Sequence, residues 1–422
     1  MVSAAEQLAA NLNFSAFAKA DELKKRIWFT LGALLVYRLG TYIPLPGIDP
    51  TVWQKVFNSQ AGGILGMFNM FSGGGIDRMA IFALNIMPYI SAAIILQLLT
   101  SVSPKLEALK KEGEAGRKVI NQYTRYLTVV LAFFQSYGIA VGLQGAGNVV
   151  TNPGMFFLIS TAITLTGGTM FLMWLGEQIT SRGIGNGISL IIMAGIVAEL
   201  PSALANMLEL GRQGALSTGI ILIVLIMVVG VIAFIVFMER AQRRLLIQYP
   251  KRQVGNKMFD GQSSHLPLKL NTSGVIPPIF ASSLLLLPTT VANFNAGSGP
   301  EWFQWVNTQL GHGRPMFLVL YIALIVFFTF FYTAIVFNPT ETADNLKKHG
   351  GFIPGIRPGE RTAEYIDYVL SRITVPGAAY LAVVCLIPES LISYAAVPFY
   401  FGGTSLLIVV SVTMDTVQQV QG

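Results

Sequence analysis

Ten apolar runs recur along this 422-residue chain, at about 27–43, 79–100, 123–142, 155–176, 186–204, 217–238, 272–292, 316–338, 370–388 and 400–417. Each is near the roughly 20 residues that a tilted helix needs to cross a bilayer. Asp, Glu, Lys and Arg occur only near their ends. With 53% hydrophobic and 12% charged residues and a mean hydropathy of +0.59, the chain carries about half the charge of a soluble protein. The expected fold class is therefore an all-α polytopic membrane protein of ten transmembrane helices.

An even number of crossings puts both termini on one side. With the N-terminus inside, 23 of the 28 Lys and Arg residues fall in inner segments, the bias expected of a correct topology. Residues 1–23 contain no apolar core followed by a small-residue cleavage site, so the first run, after "ELKKRI", reads as a retained anchor with its basic side in the cytosol. Five crossings per half would make any internal repeat an inverted one, although no residue-level repeat is visible. On this reading residues 1–26 are a cytosolic segment, 27–204 the first five-helix half, 205–216 an outer connection and 217–422 the second half. The large inner loops are 239–270 and 339–370.

The uncharged run interiors disfavour an ion-coupled transporter of small solutes, which usually holds its coupling ion on an ionisable intramembrane residue. A transporter using carbonyls and hydroxyls remains open, and a membrane enzyme ranks third. The one cysteine, Cys385, lies in an apolar run, and His265, His312 and His349 are scattered through polar connections; neither set forms a metal or disulfide framework. No P-loop, metalloprotease helix or nucleophile elbow is present. "RGIGNGIS" (182–189) superficially resembles a nucleotide loop, but no strand precedes it, so it reads as a tight cytosolic turn. No cofactor is expected.

Several features point to more specific work. Residues 62–75, "GGILGMFNMFSGGG", are too short to span a bilayer and too apolar for an exposed loop. The basic loop 238–269 interleaves Leu245, Leu246, Ile247 and Tyr249 among its arginines, suggesting a folded hairpin that displays them. In the other loop, Pro358 stiffens a tip that carries Arg357. Two structured basic loops suit docking of RNA phosphate or an acidic protein face, or contact with anionic lipid. Prolines interrupt "NIMPYISAA", "GVIPPIFASS" and "ITVPGAAY", breaks that neighbouring helices or a wet cavity must satisfy. Ile86 and Ile90, and again Ile188 and Ile192, stand four residues apart, hence on one helix face. Isoleucine at that spacing is equally common on lipid-facing surfaces.

Taken in order, "GMFNMFSGG", "MPYISA", "QYTRY", "GTMFLMWLGEQIT", "RGIGNGIS", "SSHLPLK", "ETADNLKK", "GIRPGE" and "FYFGGTSLLIVV" closely resemble the bacterial SecY family, the channel-forming subunit of the general protein-secretion (Sec) translocon. The resemblance runs from about residue 20 to 420. It implies two inverted five-helix halves around a central pore that opens sideways to lipid. It implies a constriction ring of Ile86, Ile90, Ile188, Ile192, Ile279 and Ile408. It makes 62–75 a plug with Ile64, Leu65, Met67, Phe68, Asn69, Met70 and Phe71 under the ring, hinged at Gly73, Gly74 and Gly75. Ser91, Gln135 and Leu287 would border the lateral gate, and Arg243, Arg244, Lys251, Arg252 and Arg357 would dock the SecA motor ATPase and the ribosome. SecE and SecG subunits, signal peptides, nascent chains and the lipid bilayer complete the implied partners, in the bacterial inner membrane. The sequence stops at "VQQVQG", where many members of the family continue with a basic tail, so contacts of such a tail lie outside this expectation.

Overall fold

The computed structural model describes residues 21–60, 74–75, 77–111, 113–145, 149–214, 218–249, 252–254, 257–259, 263–271, 277, 278, 281, 315–394 and 404–421. These are mostly helical. In chain order the helices are α1 (Asp21–Gly40), α2 (Pro50–Gln60), α3 (Met87–Val102), α4 (Pro104–Lys111), α5 (Glu114–Gly145), α6 (Met155–Arg182), α7 (Gly187–Arg212) and α8 (Thr218–Arg240). Four strands follow, β1 (Gln242–Gln248), β2 (Arg252–Val254), β3 (Lys257–Phe259) and β4 (Ser263–Lys269), then α9 (Pro315–Val336), α10 (Pro339–Lys348), α11 (Glu360–Tyr394) and α12 (Thr404–Gln421).

Nine of the ten apolar runs coincide with α1, α3, α5, α6, α7, α8, α9, α11 and α12; the run at 272–292 lies almost wholly outside the described residues. Among the described residues, four helical stretches are long and apolar enough to cross a membrane: Met155–Arg182, Gly219–Arg240, Leu318–Lys348 and Glu360–Leu386. Met87–Thr100 and Gly187–Ala198 are shorter apolar helices.

Two expectations need correction. The second run does not become helical until Met87. Residues 79–86 instead pair with the segment after α1: the Leu45 N–H donates to the Met79 carbonyl (3.1 Å) and the Ile81 N–H to the Ile43 carbonyl (3.0 Å). Met79 (φ 43°) and Asn85 (φ 51°) adopt left-handed backbone that cannot continue a right-handed helix. Pro88 consequently opens α3 in its first turn, where a missing N–H costs nothing, and does not break it. Helix α7 runs through to Arg212, so residues 205–212 of the expected outer connection are helical, which leaves that connection untouched. His265 is an exposed strand residue in β4, whereas His349 caps the end of α10 as a connection residue would.

Lipid offers little hydrophobic force between helices, so packing rests on close approach and on satisfied polar groups. At Gly168 of α6 an added Cβ would collide with the Ile81 carbonyl, and at Gly377 of α11 with the Leu270 carbonyl. Several buried hydroxyls are satisfied within their own helices: Thr128, Ser136, Thr329 and Thr374 each donate to the carbonyl four residues back. No Asp, Glu, Lys or Arg is buried among the residues whose side chains are described.

A separate small core forms at the basic loops. β1 and β4 pair antiparallel in register from Gln242↔Lys269 to Gln248↔Ser263, and β2–β3 pair beyond them. The period-two pattern of β1 turns Leu245 and Ile247 inward, where they join Leu268, Ile353, Ile366, Val369 and Ile373. α10 is capped at Asn338, whose side chain accepts from the Thr340 and Glu341 amides, and ends in Lys347 and Lys348.

Candidate functional site

Four of the six isoleucines are buried. Ile86 (0% exposed), Ile90 (5%), Ile192 (2%) and Ile408 (0%) all belong to the main buried apolar cluster, which also draws residues from α1, α2, α5, α6, α8, α9 and α11. Ile188 is half-buried and packs against that cluster. Ile279 lies outside the described residues, though its near neighbour Ala281 is fully buried in the same cluster. β-branched side chains have few rotamers, so the isoleucines are stiff members of that cluster. Val412, one turn after Ile408 on α12 and 4% exposed, also belongs to it. The i, i+4 spacing that marks 86/90 and 188/192 applies equally to 408/412 and could have found it.

The backbone that presents Ile188 and Ile192 is tightly fixed. Gly183 ends α6, Gly185 takes φ +73°, and Asn186 caps α7 by accepting from the Ile188 N–H at 3.2 Å. The Gly187 N–H donates to Thr180 Oγ1 at 2.9 Å, and that hydroxyl donates to the Gly176 carbonyl at 2.9 Å. Two of the orphan donors at the start of α7 are thereby satisfied. "RGIGNGIS" is the tight turn its context implied.

Of the plug segment, Ile64, Leu65, Met67, Phe68, Asn69, Met70, Phe71 and Gly73 lie outside the described residues. Gly74 and Gly75 are buried in a turn, Gly74 at φ +85°. Beside them, burial raises the Asp77 carboxyl above its ordinary value, with Arg78 opposing. Ser91 (1% exposed) on α3 and half-buried Gln135 on α5 sit on two helices that pack directly together; Leu287 is outside the described residues. Arg243, Arg244 and Arg357 are exposed, Arg252 is in β2, and Lys251 is outside the described residues.

Sequence reasoning missed one polar hub. A Glu239 carboxylate oxygen at the end of α8 accepts from Asn271 Nδ2 (2.7 Å) and from the Tyr380 hydroxyl of α11 (3.2 Å). It roots the hairpin, since Ala241 and Leu270 are themselves hydrogen-bonded (3.1 Å). A carboxylate at a run's end reads as a boundary, and nothing in the sequence pairs it with Tyr380.

The architecture defines a class: a multi-helix membrane protein with the fold of a protein-conducting channel. Solved chains of this fold include one described as "The structure of a protein conducting channel" (TM-score 0.64, 18% identity, 94% of this chain and 92% of that one). Sec61 in a canine ribosome–channel complex from the endoplasmic reticulum is similar too (TM-score 0.60, 17% identity, 94% and 92%). The SecY family model matches residues 80–417. Protein translocase subunit SecY of Escherichia coli (strain K12) is 57% identical over 411 residues, 96% of this chain and 93% of that one. Its namesake in Rickettsia felis is 56% identical over 413 residues, 97% and 95%. The chain belongs to the SecY family. Relatives over nearly the whole length are translocase subunits, which sets aside the small-solute transporter.

Proposed function

We propose that the chain is a protein-conducting channel through which unfolded secretory polypeptides cross the bacterial inner membrane and from which hydrophobic segments pass sideways into lipid. It spans the membrane ten times as two inverted five-helix halves, with both termini cytosolic. The observation that carries this reading is the likeness to protein translocase subunit SecY, 57% identical over 96% of this chain; the burial of Ile86, Ile90, Ile192 and Ile408 in the apolar core supports the ring. A hydrophobic constriction excludes ions by dewetting, while stiff side chains can close around a passing chain.

A nascent segment needs such a route because each charged residue costs on the order of 2.5–3.5 kcal/mol at the bilayer centre. A signal segment prefers lipid and leaves through the gate bordered by Ser91, Gln135 and Leu287. Residues 62–75 plug the outer side of the ring, with Gly73, Gly74 and Gly75 as hinge. Arg243, Arg244, Lys251, Arg252 and Arg357 receive SecA or the ribosome, which supply the driving force. SecE and SecG complete the complex.

The test is reconstitution of the chain with SecE and SecG in proteoliposomes. SecA and ATP should drive an unfolded secretory polypeptide into the lumen, protected from added protease; no protection, with the complex verified as folded, would contradict the reading. Deleting residues 62–72 should raise single-channel openings, and unchanged silence would remove the plug from the account.

A further inference from the structure

The turn that carries the ring's Ile188 and Ile192 is held from outside by α1. Thr30, 4% exposed, donates its hydroxyl to the Arg26 carbonyl (2.9 Å) and accepts from the Ile184 N–H (3.0 Å), across 154 positions of sequence. Arg26 Nη1 donates to the Gly183 carbonyl at 3.3 Å. Gly183 has no room for a side chain, because a Cβ there would collide with Thr30 Oγ1. On the other side, a Cβ at Gly185 would stand 3.0 Å from Thr416 Oγ1 of α12, the helix that carries Ile408. At Gly187 a Cβ would collide with the Gly176 carbonyl, and at Gly176 it would stand 3.0 Å from Ile188 Cγ1.

The geometry points to Thr30 as a positioning residue for the pore seal: its hydroxyl fixes the 183–187 turn, and through that turn the start of α7 and the placement of Ile188 and Ile192. The inference rests on the ring reading above. The physical argument is one of leverage. Three residues stand between Ile184 and Ile188, one of them the left-handed Gly185. A hydroxyl that anchors the Ile184 amide therefore removes the freedom of the turn at its weakest point. α1 carries none of the six isoleucines, yet it governs where two of them stand.

The test uses the full chain with its partner subunits in planar bilayers without substrate. Thr30→Val keeps the side-chain shape and deletes the acceptor; Thr30→Ser keeps the acceptor. Thr30→Val should raise the frequency of ion-conducting openings roughly tenfold, the consequence of losing about one buried hydrogen bond, and should speed amide exchange across 183–192. Thr30→Ser should match the unaltered protein in both. Ile192→Ser serves as the control for the ring. Silence of Thr30→Val beside a leaking Ile192→Ser overturns the role of Thr30 alone. Silence of both overturns the ring reading and the inference with it. Loss of folded Thr30→Val without leak from the folded fraction reduces Thr30 to a structural residue and also overturns it.

Discussion

Gln248 and Phe352 exchange both backbone hydrogen bonds, N–H to carbonyl at 2.9 and 3.0 Å, so the hairpin and the 349–359 loop are one surface. Gly351 permits this contact: a Cβ there would stand 2.9 Å from Tyr249 Cε1 and 3.1 Å from Ile247 Cγ2. Gly351→Val should separate the loops and lower SecA affinity several-fold, while the resting channel stays sealed. Binding isotherms on reconstituted complex check this; unchanged affinity would mean that the loops dock independently.

The exposed arginines predict a salt-sensitive interaction. Arg243→Glu together with Arg357→Glu should weaken SecA and ribosome binding at least tenfold. The salt dependence should flatten as well, because fewer counterions are released. Equal weakening at every salt concentration would instead indicate a folding defect in the loops.

How much of this was legible beforehand differs from element to element. α6 and α8 were plain in the sequence, because a span must be long and apolar whatever it packs against. The hairpin was legible in the alternation of Leu245 and Ile247 among arginines. Residues 79–86 were not: their hydrophobicity matches a span, and only pairing with Ile43 and Leu45, together with the left-handed Asn85, takes them out of helix. Ile86 and Ile90 were legible as a spaced pair, but their burial in one core with Ile192 and Ile408 is a tertiary event. Thr30 and Glu239 left no local trace, since their partners lie 154, 32 and 141 positions away.

Close approach at the turn separates two glycines of similar appearance. Gly187→Ala forces a methyl against the Gly176 carbonyl, whereas Gly138→Ala on α5 meets nothing within 4 Å. The first should destabilise by about 1–3 kcal/mol, as overpacking does; the second should change stability by no more than about 1 kcal/mol. Thermal unfolding in detergent distinguishes them, and equal shifts would contradict the packing described.

Glu239→Ala removes the acceptor shared by Asn271 and Tyr380. A cost of about 1–3 kcal/mol is expected, with Tyr380→Phe at the lower end because it loses only the longer bond. Amide exchange should rise at the hairpin base, around Ala241 and Leu270, in the Glu239 variant. Protection there equal to that of the unaltered chain would show that the hairpin is rooted elsewhere.

The measurement that bears most directly on the apolar seal is single-channel conductance of the complex with Ile86→Ser and Ile192→Ser combined, set against the unaltered chain. Replacing two stiff apolar side chains by small hydroxyls should wet the constriction and give frequent ion-conducting openings where the unaltered protein is silent. Continued silence of the variant, with folding and incorporation verified, would contradict the isoleucine cluster as the channel's gate.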